Sequence, residues 1–530
     1  MSDSKADDII KRQGQLTSDR MNFNTLWQQV AERILPGEAN FTALRSPGEA
    51  RNERVYDSTA ALALRKYAAI MESLSMPRNV EWHSLKAENE ELEDNHAVKD
   101  YFQKVNTILF KRRYAPAANF TAQLGSINLS LGAFGNSPMF IDETPNGGRR
   151  YKAIPLAEFC YAENHVGVVD TGYRLFKLSA RQALMQFKDG APQQIVTQSA
   201  SNPDQMFTFI HCVKPIEDGK RYPPEAKFES VYCSVEYRHI CREGCYYTFP
   251  SPVSRDTSVA GEMYARSPAM WVLPGIKMLN EMKRTVIRSG QRAVDPPLLL
   301  TDEGALSGFS LRAGALNGGA MSDQGVPLVQ ALESRSQLNM GVDLMQMEQQ
   351  VINDSFYISL LQITAEHPQM TATEVLQRAQ EQGMLLGPVS GRQQEFSGQM
   401  VDREISMDAR IPGLFPPMPP ELAEAGGGYK IVYDNPLTRV QRAGVGVGIL
   451  RTIDGLASLV GINPGILDNF NLDEMAKALA DANGVPAKLE NPPEMVAQIR
   501  ADRAKQQQMA QMIEAAPQLA GAAKDAGLTA

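Results

Sequence analysis

Three cysteines and a histidine lie close together in the chain and are the first candidates for chemistry. Cys233, His239, Cys241 and Cys245 fall within thirteen residues, and thiolates and imidazoles are the groups that hold zinc in tetrahedral sites. Strand-like runs flank Arg242-Glu243-Gly244, which predicts a hairpin turn there. Such a turn places Cys241 and Cys245 across a β-ladder rather than around an ion. The spacing therefore favours a structural role, with zinc as the minor alternative.

Motifs that identify enzymes with high specificity are absent from the sequence. The only Gly-Lys pair, Gly219-Lys220, lacks the upstream glycine of a nucleotide-binding G-x-x-x-x-G-K-[ST] loop. Neither H-E-x-x-H nor G-x-S-x-G occurs. His367, before Pro368, has no partner nearby in sequence and is interpreted as a loop histidine. The sequence thus predicts no catalytic residue, no bound metal, no cofactor and a protein that is not an enzyme.

The elements that would position any site change character along the chain. Periodicity predicts helices up to about Phe110, then short β-branched and aromatic strands from Tyr151 to Pro252 with one short helix at Ala180–Phe187. Two long helices follow, Pro268–Arg292 and Leu328–Leu360, and the first opens with Ser267 as N-cap. The fold class predicted is α+β and mainly helical.

The remaining segments are marked by glycine and proline. The insert between the long helices, Val294 to Pro327, is too rich in both to form one regular element. A capping box at Thr371 opens a third long helix, in which Gly387-Pro388 predicts a kink. Five prolines between Ile411 and Pro420 predict a boundary before a helical C-terminal region.

Composition excludes several classes of protein. Among 530 residues, 53 Lys and Arg stand against 61 Asp and Glu, so the net charge is -8 and the chain is not a polycation that coats nucleic acid. Five cysteines without framework spacing suit a reducing compartment. Neither a secretory signal nor a membrane span is predicted, because polar residues interrupt the longest uncharged stretch, Tyr114–Ile141.

Several segments together resemble the head-to-tail connector, or portal, proteins of short-tailed bacteriophages (podoviruses). RMNFNTLWQQVAERILPGEANF resembles the opening helix of that family, and Val169–Phe187 resembles its central β-rich region. The stretch from Tyr246 through Pro268 is similar to the approach to its first stem helix. Met370–Phe396 is similar to its long kinked helix. Four such segments occur here in the family's order.

The resemblance implies a portal fold with a mixed α/β wing, a two-helix stem, a clip, a tunnel loop, a kinked helix and a helical crown. On this chain it implies the following ranges: wing 1–266, with a helical segment at residues 1–110 and a β-rich segment at residues 151–252; first stem helix 267–293; clip 294–327; second stem helix 328–361; tunnel loop 362–370; kinked helix and return to the wing 371–436; crown and tail 437–530.

The resemblance also implies a function and a set of partners. Such proteins form a ring, usually of twelve subunits, at one capsid vertex, and double-stranded DNA is packaged and ejected through its channel. A terminase motor, tail adaptor and tail proteins, and capsid and scaffolding proteins are the implied partners. No membrane partner is expected, and the implied location is the virion after assembly in the host cytoplasm. A phage adaptor or scaffold without a channel is the alternative.

Candidate site residues follow from this assignment. Lys277, Arg284, Arg288 and Arg292 form a basic stripe on the first stem helix and are candidates for weak contact with DNA in the channel. Alternatively they pair with acidic residues of the next subunit, with Asp343, Glu348 and Asp354 as the candidates. Glu366 and His367 are the tunnel-loop candidates, and Gly387 and Pro388 mark the kink.

Overall fold

The computed structural model shows a mixed α/β protein. It describes residues 2–43, 48–49, 55–93, 95–144, 147–217, 222–300, 310, 312, 314–316, 321–322, 324–331, 338–358, 394–434, 448–456, 469–483, 491 and 495–509. Within these ranges, every helix is too short or too polar to cross a membrane.

Helices account for most of the regular structure. In chain order they are α1 (Ser2–Asp19), α2 (Met21–Ile34), α3 (Thr59–Ser75), α4 (Glu90–Glu93), α5 (His96–Arg113), α6 (Phe120–Phe134), α7 (Ala180–Phe187), α8 (Gln193–Ser201), α9 (Pro268–Trp271), α10 (Leu273–Val294), α11 (Leu338–Ser355), α12 (394–408), α13 (Pro420–Glu424), α14 (448–456), α15 (Leu472–Asn483) and α16 (495–509).

The strands form small antiparallel sheets. They are β1 (His83–Ala87), β2 (Asn136–Glu143), β3 (Arg149–Ala153), β4 (Phe159–Glu163), β5 (Val169–Ser179), β6 (Met206–Pro215), β7 (Phe228–Ser234), β8 (His239–Tyr246), β9 (Val253–Arg255), β10 (Leu298–Leu300), β11 (Val329–Ala331) and β12 (Tyr429–Tyr433). The sheet orders are β4-β5-β6-β7-β8, β3-β2-β9, β1-β12 and β10-β11.

The chain divides into two compact units. The first contains Met1–Val80 and Arg112–Arg410, and the second contains Glu81–Lys111 and Ile411–Ala530. The division after Arg410 falls at the start of the proline-rich segment. Residues 81–111, which the sequence placed in an N-terminal helical region, group instead with the chain after residue 410.

Strand pairing explains this grouping in the second unit. β1 pairs with β12 so that His83 lies opposite Tyr433 and Ala87 opposite Tyr429. Beside this ladder the Glu93 carboxylate accepts hydrogen bonds from the ammonium groups of Lys86 and Lys430, at 2.7 and 2.8 Å. The prediction of helix throughout residues 1–110 is therefore wrong at β1, where a partner strand from much later in the chain satisfies the backbone.

In the first unit, the five-stranded sheet is covered on both faces. Alternate residues of β6 point to opposite sides, with Ile210 and Cys212 packing under α1 and Phe207 and Phe209 packing under α7 and α8. The strands were predictable from sequence because short runs rich in β-branched and aromatic residues stand between turn signals. The predicted helix Ala180–Phe187 is confirmed as α7. Its N-terminus carries a reciprocal capping box between Ser179 and Gln182.

A second core of the first unit lies among α2, α3, α6 and the helices from α9 to α11. Trp27 is fully buried at its centre, and its indole N–H donates to the carbonyl oxygen of Phe134 at 3.1 Å. The ring of Tyr264 meets Trp27 edge-on at 5.3 Å. Gly135 ends α6 with a φ of 74°, and a side chain there would meet the Ala265 carbonyl oxygen. These contacts fix the point from which α9 and α10 depart.

The two predicted long helices are only partly confirmed. Ser267 is an N-cap as predicted, since its hydroxyl accepts from the Met270 N–H at 3.1 Å. The prediction of one continuous helix over Pro268–Arg292 is wrong, because the helix is interrupted at Val272 between α9 and α10. The second helix, predicted over Leu328–Leu360, is wrong at both ends. Val329–Ala331 instead form a strand paired with Leu298–Leu300. α11 stops at Ser355 because Tyr357 adopts a left-handed φ of 59°, which a continuing helix excludes.

Candidate functional site

Helices α10 and α11 carry the predicted basic stripe and its candidate acidic partners. They lie antiparallel, because the Glu348 carboxylate lies over Gly275 and Gly341 lies against Val286. Leu279 of α10 and Ile352 of α11 are buried in the core that includes α3. The helix pair is thus anchored along one face.

The Asp57 carboxylate, just before α3, is hydrogen-bonded to both helices. It accepts from the Lys283 ammonium at 3.0 Å and the Gln349 amide at 3.4 Å. Burial alone would raise the pKa of Asp57, but hydrogen bonds from Thr59 and Lys283 lower it. Asp57 therefore remains ionised. This contact carries no signal in the sequence, because Asp57 lies in a short connection without periodicity.

The two N-terminal members of the basic stripe have partners within the subunit. The Lys277 ammonium donates to the Gln29 side-chain oxygen at 2.6 Å. The Arg284 guanidinium lies 3.3 Å from the Glu281 carboxylate, and its centre lies 5.8 Å from the ring of Tyr56. These two side chains are half-buried. They are less available to an external ligand than the sequence suggested.

Arg288 and Arg292 differ from these two. Both are exposed, and neither makes a hydrogen bond or ion pair with another described residue. On α11, Asp343 is also exposed and is not hydrogen-bonded to any described residue. The structure does not bring the stripe and the candidate acids into contact within one subunit. Arg288 and Arg292 are thus the two members of the stripe that, within the described part of the chain, are free to contact either DNA or a neighbouring subunit.

The other site candidates lie in a stretch of the chain that is not described. These are Glu366 and His367 of the predicted tunnel loop, and Gly387 and Pro388 of the predicted kink.

The cysteine and histidine cluster does not converge on a point. Cys233 packs under α1 on one face of the sheet, and Cys241 packs under α7 and α8 on the other. Burial raises the pKa of each thiol to about 12, which disfavours the thiolate that zinc requires. Over the described ranges, no three His, Cys, Asp or Glu side chains are grouped to hold a metal ion.

The hairpin turn lies elsewhere than predicted. β7 and β8 are joined at residues 235–238, where Arg238 adopts a left-handed φ of 49°. The predicted turn, Arg242-Glu243-Gly244, is instead inside β8 and pairs with Ser230, Val231 and Tyr232. The glycine that suggested a turn lies opposite Ser230 in the ladder. Cys241 and Cys245 therefore both lie within β8 rather than on either side of a turn, and their role is structural.

A buried ionic cluster on α12 is the main polar feature that sequence reasoning missed. The Glu404 carboxylate lies 2.7 Å from the Arg113 guanidinium and 2.9 Å from that of Arg149, and all three side chains are fully buried. It also accepts from the Tyr151 hydroxyl at 2.7 Å. Arg149 forms a second, bidentate ion pair with Asp408 one turn further on. We refer to Arg113, Arg149, Tyr151, Glu404 and Asp408 as the ionic cluster.

Electrostatics keep the cluster charged. Burial alone would raise the pKa of Glu404, but the guanidinium groups of Arg113 and Arg149 lower it below its ordinary value. Arg403, next in sequence, is also buried; its pKa is lowered by burial, and it lies 4.8 Å from the centre of the Tyr246 ring. The cluster holds α12 against Arg113 and β3 within the first unit. Its chemistry is structural, since the carboxylates are already saturated with donors.

Comparison with known proteins gives a consistent picture over nearly the full chain. A family described as "Bacteriophage head to tail connecting protein" matches residues 6–489. The "Probable portal protein" of Bordetella phage BPP-1 is 29% identical and covers 95% of this chain and 92% of its own length. The "Portal protein" of Salmonella phage epsilon15 is 24% identical, with 96% and 93% covered.

Solved structures give a weaker likeness. A chain in the structure titled "Virion of native gene transfer agent (GTA) particle" matches with a TM-score of 0.35 and 8% identity, and it covers 74% of this chain and 85% of that one. That similarity is too low to establish a common fold.

Proposed function

This chain belongs to the bacteriophage head-to-tail connecting protein family and is a virion component with the function of a portal protein; from that premise we propose that its copies form a ring at one capsid vertex. Genomic DNA enters the head through the axial channel of the ring and later leaves by the same route. The observation that carries this proposal is the match over residues 6–489, together with two portal relatives that each cover at least 95% of the chain.

The charge of the subunit suits a channel through which DNA slides. Each subunit carries a net charge of -8, so a closed ring is strongly acidic as a whole. Every phosphate that a protein neutralises adds salt-dependent affinity, and a largely acidic wall keeps that affinity low. Weak, sequence-independent contact with double-stranded DNA is therefore the form of binding that we propose.

The described elements can be assigned to the regions of a portal subunit. In this assignment the β-rich core with α1, α7 and α8 belongs to the wing, and α9 to α11 form the stem. The β10-β11 hairpin belongs to the clip, and α14 to α16 belong to the crown. The exposed apolar side chains of α10 and α11 support a stem that is completed by neighbouring subunits.

The proposed partners follow from this position at the vertex. A terminase motor docks on the ring during packaging, tail adaptor and tail proteins replace it, and capsid and scaffolding proteins surround the wing. The ring is assembled in the host cytoplasm from twelve copies. The subunit conducts DNA without catalysing a reaction of its own.

Complementation and electron microscopy test this function together. Purified protein is expected to form rings with a central hole, and its gene is expected to restore DNA-filled heads to a phage that lacks its portal. Closed particles without a hole, or rings that leave the heads empty, would favour the alternative of an adaptor or scaffold without a channel.

A further inference from the structure

The two helices of the stem have opposite outer edges, which the contacts between them define. Gly275 and Val286 mark the side of α10 that faces α11, and Gly341 and Glu348 mark the side of α11 that faces α10. With 3.6 residues per turn, a residue two positions away from such a contact lies about 200° round the helix. The outer edge of each helix can therefore be read from the sequence.

The outer edge of α10 is basic. Lys277, Arg284 and Arg288 each lie two positions from Gly275 or Val286, and Arg292 follows Arg288 one turn later. These four residues are the basic stripe, which therefore forms the outer edge of α10. Lys277 and Arg284 have partners within the subunit, whereas Arg288 and Arg292 are exposed and make no polar contact with other described residues.

The outer edge of α11 is acidic and partly apolar. Asp343 and Gln350 lie two positions from Gly341 and Glu348, and Met347 and Asp354 continue the same stripe at spacings of four residues. We call Asp343, Met347, Gln350 and Asp354 the acidic edge. Met347 is 65% exposed, and its neighbour Val351 is 52% exposed. A helix that leaves such side chains in water has an unfilled contact surface.

The two edges also match in height. Because Gly341 lies beside Val286, Asp343 lies at the level of Arg284 and one turn from Arg288. Rotation about an axis nearly parallel to the helices leaves these levels unchanged, so like levels meet between neighbours in a ring. Such contacts are heterologous, with different surfaces on the two sides.

We infer that the basic stripe of α10 docks on the acidic edge of α11 in a second copy of this chain, with Asp343 at the level of Arg284 and the exposed Arg288, one turn along α10, extending its side chain to Asp343. The inference rests on the proposed ring and assigns the exposed arginines to assembly rather than to DNA. Met347 lies beside the charges on the acidic edge, and the charges set the register of the contact. Repetition of this contact around the axis closes the stem.

Charge exchange tests the contact at two positions that carry no fold-forming bonds with the described residues. Arg288→Glu and Asp343→Arg each place like charges opposite each other, and each is expected to lower the ratio of rings to monomers about tenfold or more. The double variant Arg288→Glu/Asp343→Arg is expected to restore it. Arg181→Glu, at an exposed arginine on α7, is the matched control. Sedimentation velocity gives the ratio, and circular dichroism verifies folding.

Cross-linking provides a readout that does not depend on stability. Arg288→Cys/Asp343→Cys, treated with a short bis-maleimide, is expected to give a ladder of multimers on denaturing gels, and Arg181→Cys/Asp343→Cys only monomers. Four of the five native cysteines are buried and Cys245 is half-buried, so untreated and wild-type samples set the background.

The outcomes separate the inference from the proposed function. If the wild type stays monomeric, the ring itself is wrong. If the wild type forms rings but the single reversals assemble equally well, or the double variant is not restored and no ladder appears, the ring stands and this interface is wrong. Single reversals that assemble normally but leave heads without DNA would assign Arg288 to the channel and overturn the inference.

Discussion

Arginine side chains are buried at helix α12 but exposed on helix α10. Arg113 and Arg149 reach Glu404 of α12 in a site from which water is excluded, whereas Arg288 and Arg292 of α10 extend into solvent. A buried charge must be matched because desolvation costs several kcal/mol per ion. An exposed charge contributes little to folding and remains available to a partner. The comparison separates residues that hold the subunit together from residues that serve assembly.

The largest effect is expected from removal of the buried carboxylate. Glu404→Ala leaves Arg113 and Arg149 buried without their counter-ion and is expected to lower the free energy of unfolding by about 4 kcal/mol. Urea denaturation of the purified protein measures this loss. The control is Glu281→Ala, since the Glu281 side chain is 64% exposed beside Arg284. Equal stability of the two variants would remove the distinction between the regions.

Two apolar residues, one in α11 and one just after it, test the same contrast between buried and exposed side chains. Phe356 is fully buried and meets the Tyr67 ring edge-on at 5.9 Å, so Phe356→Ala is expected to cost about 3 kcal/mol of stability. Met347→Ala removes an exposed side chain and is expected to leave the unfolding free energy within about 0.5 kcal/mol. It should instead lower the proportion of rings. A large loss of subunit stability for Met347→Ala would show that this side chain is not on a free surface.

A smaller effect is expected from pH through His211. Burial, followed by the charges of Arg174 and Arg242, lowers its pKa to about 3; the imidazole also stacks on Tyr232 and bonds to the Ser230 hydroxyl at 2.9 Å. Because the folded pKa lies below the ordinary value near 6.5, the stabilisation is complete above pH 6.5 and is lost as the pH falls toward 3. The expected loss is about 2 kcal/mol between pH 7 and 5.

Substitution isolates this contribution. His211→Gln is expected to be less stable than wild type at pH 7 but to lose less stability on acidification, as followed by urea denaturation at both pH values. His165→Gln, at an exposed histidine, should retain the pH dependence of the wild type. An unchanged pH dependence in His211→Gln would contradict the neutral buried state.

The smallest effect on folding is expected at the exposed arginine of α10. Arg288→Ala is expected to change the free energy of unfolding by less than about 0.5 kcal/mol, because Arg288 makes no bond with the described residues. Its effect should appear in assembly, where the ring fraction becomes more sensitive to salt. A loss above about 1 kcal/mol on unfolding would place Arg288 in the same class as Arg149.

The sequence predicted correctly those helices and strands that are stabilised by residues close together in the chain. The predicted bounds of α7, Ala180–Phe187, are the observed ones. Its cap and its apolar spacing lie within nine residues, Ser179–Phe187. The β-branched and aromatic residues of β6 likewise predicted a strand. The start of α9 followed from Ser267-Pro268. In each case, the residues that fix the conformation are adjacent in sequence.

Long-range partners explain what the sequence did not predict. β1 depends on β12, and the strand at Val329–Ala331 depends on Leu298–Leu300, so neither carries a sufficient signal of its own. Glu404 and Asp408 resemble an exposed helical face in sequence, because charged residues at that spacing usually face water. Only their distant partners, Arg113 and Arg149, make the burial possible. Arg288 and Arg292 were predicted to contact either DNA or the next subunit. The sequence of one subunit does not decide between these partners.

Electron microscopy of the purified protein shows whether the subunits form a ring, because a ring requires the exposed faces of α10 and α11 to be completed by neighbours. Averaged top views of the wild type are expected to show closed rings with an axial hole. These rings are expected to be lost in Arg288→Glu and recovered in Arg288→Glu/Asp343→Arg. Particles that remain monomeric under all conditions would contradict the proposed ring.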